Sequence, residues 1–103
     1  MNYMCFDIGG TSVKYGVADE RGALLLKGET PTEIPEKGVQ QLIDRLTALT
    51  LRYHGEYHLQ GIAVSTAGIV DPETGVVLYG PKHLPGYTGT AWKELLEKNC
   101  GLP

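Results

Sequence analysis

Eight consecutive residues near the amino terminus, Asp7-Ile8-Gly9-Gly10-Thr11-Ser12-Val13-Lys14, place a carboxylate, two glycines, hydroxyls and an ammonium in one short stretch. Each has a use if a phosphate sits there. Gly9 and Gly10 permit close approach of the backbone and let successive N–H groups converge on an anion. Thr11 can donate a hydroxyl and Lys14 can supply positive charge, while Asp7 can hold a magnesium ion through water. The stretch is not a P-loop, because Gly-Lys-Ser/Thr is missing and no helix follows, nor is it the Gly-x-Gly-x-x-Gly dinucleotide fingerprint. Two readings of the turn stand at this point: a phosphate cradle, or a plain hairpin turn capped by Asp7.

These side chains need strands to hold them. Residues 3–8 form a short apolar, β-prone run stopped by Gly9-Gly10, and residues 13–19 alternate apolar with polar at period two. A polar turn at 19–22 leads to a leucine-rich run at 23–30, so the first third predicts a three-stranded antiparallel meander. Pro31 and Pro35 break the pattern. From about residue 36, Val39, Leu42, Ile43, Leu46 and Leu49 fall at helical spacing, predicting a helix that ends near Tyr53-His54-Gly55. The run at 59–65 then reads as a buried strand parallel to the first, reached by the helix as a crossover. Asp71-Pro72-Glu73-Thr74-Gly75 carries hairpin turn chemistry. After a loop at 80–89, a last helix is predicted over 91–99, with Thr90 as its N-cap and Gly101 at its end. No internal repeat or linker divides the chain, so residues 1–103 read as one domain.

Composition narrows the classes. The chain is 42% apolar and 20% charged, with 14 Gly and 6 Pro, which is ordinary for a folded domain rich in turns. A net charge of −3 with nine scattered basic residues offers no basic stripe for nucleic acid. No apolar run nears the roughly 20 residues that cross a bilayer, and the start lacks a basic and apolar leader. The expectation is a cytoplasmic protein with no nucleic-acid or membrane partner, with Cys5 and Cys100 as unpaired thiols and His54 and His58 as solvated surface residues.

Three segments, DIGGTSVKYGV at 7–17, GIAVSTAGIVDPETGVVL at 61–78 and LPGYTGTAWKELLEKNCGLP at 84–103, together resemble the amino-terminal part of sugar kinases of the ROK family. That family belongs to the wider group of hexokinases, actin and the large heat-shock chaperones. The resemblance implies an α/β fold of the ribonuclease H-like, actin-like ATPase type: a mixed sheet of three antiparallel strands, a crossover helix and a parallel fourth strand. It implies ATP-dependent phosphorylation of a hexose or amino-hexose with Mg2+. By the same resemblance Gly9, Gly10, Thr11 and Lys14 meet the nucleotide phosphates, Asp7 holds magnesium through water, and Gly68, Lys82 and His83 face the sugar.

Two positions depart from the pattern: Ser12 stands where Lys is frequent, and His83 where many members have Asn. The resemblance assigns no catalytic residue to this chain, because the expected aspartate base follows Pro103, as do a second lobe and its common zinc site. The expectation is therefore a phosphate- and sugar-contacting lobe, inactive alone and dimerising through the bare side of its fourth strand. The resemblance leaves two rival readings: a sugar-sensing ROK transcriptional regulator lacking its DNA-binding domain, and a non-catalytic actin-like module. Asp7 lies too close to Met1 for a helix-turn-helix between them, and a bare actin-like module gives no reason for Thr66-Ala67-Gly68 and its hairpin.

Overall fold

The computed structural model describes residues 1–103. Its elements are β1 (Asn2–Ile8), β2 (Ser12–Asp19), β3 (Leu24–Pro31), α1 (Ile34–Lys37), α2 (Val39–Tyr57), β4 (Leu59–Thr66), β5 (Ile69–Val70), β6 (Val77–Tyr79) and α3 (Trp92–Cys100). The main sheet has the order β3-β2-β1-β4, and β5 and β6 form a separate hairpin. β1 pairs antiparallel with β2 and parallel with β4, so the meander, the crossover and the parallel fourth strand all take the predicted form.

The period-two pattern sorts the sheet into two faces. Met4, Phe6 and Ile8 of β1 and Val13 and Val17 of β2 point to one side and are buried. Leu42, Leu46 and Tyr53 of α2 and Trp92 and Leu96 of α3 close over them in a single apolar cluster. The opposite face carries Cys5 and Asp7 beside Lys14, Gly16, Ala63 and Ser65, and remains open as a hollow of about 930 Å³.

The helical region differs from expectation. Instead of one helix beginning near residue 36, α1 accepts Pro35 in its first turn, where a missing N–H costs nothing, and Gly38 at φ 81° separates it from α2. Nor does α2 stop at Gly55. It runs to Tyr57, and His58 takes the left-handed conformation with its N–H bonded to the His54 carbonyl at 3.0 Å. His54, expected as a solvated surface residue, has a structural role: its Nδ1 accepts the Leu59 N–H at 3.0 Å and joins the helix exit to β4. α3 also departs at its start, where Ala91 rather than Thr90 precedes the helix; Thr90 Oγ1 donates instead to the Tyr87 carbonyl at 2.6 Å. Gly101 ends α3 in the left-handed conformation, as predicted.

β4 lies at the end of the sheet order. Ala67 N–H reaches the Ile8 carbonyl at 2.8 Å, whereas Ile62 N–H reaches the Pro103 carbonyl at 2.9 Å. Odd-numbered residues of β4 therefore bond towards β1 and even-numbered ones face outwards. The expected bare edge is thus covered at Ile62 by the chain's own last residue, while the outward groups of Val64 and Thr66 have no strand beside them.

Leu46 has no exposed surface and sits where α2 meets the sheet. Leu46→Ala is expected to lower unfolding free energy by about 2–5 kcal/mol, read as a reduced urea midpoint at unchanged slope.

Candidate functional site

The turn between β1 and β2 is polarised. Gly9 N–H donates to the Ser12 carbonyl at 2.9 Å, closing the hairpin, and Thr32 N–H donates to the Thr11 carbonyl at 3.0 Å. Thr32 Oγ1 donates to the Gly9 carbonyl at 2.8 Å from a fully buried position. Three acceptors of the turn are thereby occupied. The N–H groups of Gly10 and Thr11 lie outside any helix or strand and donate to no protein group. A turn with three of its four carbonyls engaged and two N–H groups free favours anions.

Sequence reasoning missed Thr32, which lies 23 residues from its partner Gly9. A buried threonine between two prolines carries no local signal of the turn it fastens.

Asp7 and Lys14 face each other across β1 and β2 on the open side of the sheet, one pair below the turn. Both are exposed, and neither forms an ion pair. Ser65 of β4 stands opposite Asp7 on its other flank. The carboxylate and the ammonium are thus held by their strands while their charged ends remain available.

The same end of the sheet receives two further segments. Ala67 is tied to Ile8 as described, which seats residues 66–68 beside the turn. Gly68 has φ 98°, and a β-carbon there would collide with the Tyr79 carbonyl, so only glycine fits between β4 and β6. The loop after β6 is anchored by buried Leu84 and Tyr87, and Leu84 N–H bonds to the Pro81 carbonyl at 3.0 Å. Lys82 and His83 project from it, both exposed. The His83 imidazole occupies the place that a β-carbon on Gly10 would take. His83 is thereby brought to the turn; Lys82 is on the same loop, with no ion-pair partner.

A buried relay fixes this loop. Trp92 Nε1 donates to the Tyr87 hydroxyl at 2.9 Å, that hydroxyl bonds to Thr66 Oγ1, and Thr66 Oγ1 donates to the Ala67 carbonyl at 3.2 Å. One direction of donation, from Trp92 to Tyr87 to Thr66 to Ala67, satisfies every member. Burial pushes the Tyr87 hydroxyl above its ordinary pKa, against smaller downward contributions from Thr66 and Trp92. It stays protonated and able to donate.

The mixed sheet, with β1 parallel to β4 and antiparallel to β2, has the topology of an actin-like ATPase fold. The profile of the ROK family matches residues 3–103, and the chain belongs to the ROK family. It is 39% identical over 101 residues to an uncharacterized protein of Clostridium perfringens, covering 98% of this chain and 34% of that protein. It is 32% identical over 103 residues to a beta-glucoside kinase of Listeria monocytogenes, covering 100% of this chain and 33% of the kinase. Among solved structures, a ROK glucokinase from Streptomyces griseus in complex with glucose and AMPPNP superposes with TM-score 0.82 at 26% identity. It matches 100% of this chain over 31% of its own. The chain therefore spans about a third of the length of the relatives it matches.

Thr32→Val keeps the shape and removes the hydroxyl. It is expected to cost about 1–3 kcal/mol and to broaden or shift the Gly9 and Gly10 amide signals in a two-dimensional NMR spectrum. Unchanged turn signals would mean that Thr32 does not hold the turn.

Proposed function

We propose that this chain is the phosphate- and sugar-contacting lobe of an ATP-dependent hexose kinase, which transfers a phosphoryl group from ATP to a sugar hydroxyl. The observation that carries the reading is the polarity of the 9–12 turn, with the Gly10 and Thr11 N–H groups free and the carbonyls of Gly9, Thr11 and Ser12 engaged. Phosphoryl transfer asks the protein mainly for alignment and charge neutralisation. The Gly9–Gly10 backbone, the Thr11 hydroxyl and the Lys14 ammonium hold the nucleotide phosphates. Gly68 and Lys82 line the hexose side.

The donor set suits magnesium. No cluster of three or more His, Cys, Asp or Glu gathers anywhere in the chain, so an all-protein metal cage is not what these residues build. The unpaired Asp7 carboxylate beside the turn fits a hard cation that keeps most of its waters and is bound jointly with phosphate. Magnesium bound there would neutralise charge on the transferring phosphoryl group. The same composition gives zinc no ligand set in this segment. The general base that takes the hydroxyl proton is assigned to none of the residues described.

The acceptor is a hexose or amino-hexose, in keeping with relatives named as beta-glucoside and N-acetyl-D-glucosamine kinases. With ATP as co-substrate and two free thiols, the location proposed is the cytoplasm. The outward edge of β4, with Val64 exposed beside unpaired backbone groups, is proposed to pair with its copy in a symmetric homodimer.

Two measurements test these readings. Titration with ATP and magnesium is expected to move the amide signals of Gly10 and Thr11, and Asp7→Ala to weaken the magnesium-dependent part roughly tenfold, the loss of one charge-assisted contact. Turn signals indifferent to saturating ATP would dispose of the phosphate assignment. Sedimentation is expected to show concentration-dependent association that Val64→Lys abolishes; a monomer at every concentration would remove the β4 pairing.

A further inference from the structure

We infer that His83 serves the transferring phosphate rather than the sugar, as a third donor completing the cradle formed by the N–H groups of Gly10 and Thr11. This rests on the phosphate reading of the turn. Three observations support it. The imidazole lies directly against Gly10, with Nε2 the atom nearest the position of an absent β-carbon. Neither ring nitrogen has a partner, whether hydrogen-bonded or ionic, while His54 at the helix exit is engaged through Nδ1. Of the turn's main-chain oxygens, those of Gly9, Thr11 and Ser12 are already taken by Thr32 and Gly9, which leaves the Gly10 carbonyl as the one free acceptor beside the free Gly10 and Thr11 N–H groups.

Chemistry separates the two ligands. A sugar hydroxyl is best held by a donor and an acceptor together, whereas phosphate oxygens accept only. The turn offers two free N–H donors, those of Gly10 and Thr11, against one free carbonyl, that of Gly10. The absence of a β-carbon at Gly10 therefore has a second consequence besides backbone approach to the phosphate: it leaves room for an imidazole to lie on the turn and present Nε2–H beside two amides. The loop that carries His83 is anchored from below by buried Leu84 and Tyr87.

The test uses the full 103-residue chain with tripolyphosphate as the probe and glucose as the comparison, following backbone amides and imidazole nitrogens by NMR. Tripolyphosphate is expected to move Gly10, Thr11 and the His83 nitrogens along one binding curve, and glucose to leave those nitrogens in place. His83→Phe, which keeps a ring without a donor, is expected to weaken tripolyphosphate roughly tenfold. His83→Gln should recover part of that loss by restoring an N–H. Gly10→Ala, which puts a methyl group where the imidazole lies, should mimic His83→Phe. If Gly10 and Thr11 respond but His83→Phe binds as the parent does, or if the imidazole answers to glucose alone, the inference is overturned and the phosphate turn stands. If no turn residue responds, the phosphate reading falls and this inference with it.

Discussion

Parallel pairing of β1 with β4 obliges the chain to travel back along the sheet before the second strand can bond, and α2 is that return path. The pairing sends the carboxyl ends of both strands to one end of the sheet, where open α/β folds bind their ligands. Everything placed at that end follows from it. The 9–12 turn leaves β1 there, residues 66–68 leave β4 beside it, and the Ala67 to Ile8 hydrogen bond fixes their separation. The hairpin β5–β6 then turns the chain so that the His83 loop comes back over the same spot. Without the crossover the turn would be an isolated hairpin tip.

Within that frame, polarity of the turn is set by a residue that is not in it. Thr32 uses its backbone N–H and its hydroxyl on two carbonyls of the same turn. Its position is fixed in turn by the end of β3 and by Gln41, whose side-chain amide bonds to the Thr32 carbonyl at 3.0 Å. Arg45 of α2 reaches the Pro31 carbonyl and pairs with Glu33 at 3.2 Å. The short segment between meander and crossover is thus clamped by the helix it precedes, and the clamp extends from α2 through Thr32 to the backbone of the 9–12 turn. Preorganised donors of this kind need no rearrangement when a charged ligand arrives.

Much of this was readable from the sequence because its causes are local. Period-two alternation in residues 13–19 and the glycine pair at 9–10 determine a strand-turn-strand unit without help from elsewhere, and the apolar spacing from Val39 to Leu49 determines a helix. What escaped prediction depends on contacts between distant residues or on competition among local signals. Gly55 offered a helix stop, yet the His54 ring and carbonyl captured the Leu59 and His58 amides and carried the helix two residues further. Thr90 offered a cap, but its hydroxyl found the Tyr87 carbonyl first. The phosphate candidates were visible as residue types; that the Gly9 and Thr11 carbonyls are occupied while the Gly10 and Thr11 amides are free is a property of tertiary contacts, and only the folded structure supplies it.

The relay from Trp92 through Tyr87 to Thr66 ties the chain's single tryptophan to the strand end beside the turn. An indole that is buried and hydrogen-bonded emits at shorter wavelength than one in water, and Trp92 is only 3% exposed. Its partner Tyr87 lies with ring centroids 6.4 Å away, close enough to pass excitation to it. The molecule therefore carries an intrinsic optical gauge of whether the loop behind His83 is seated, requiring neither a label nor an engineered residue.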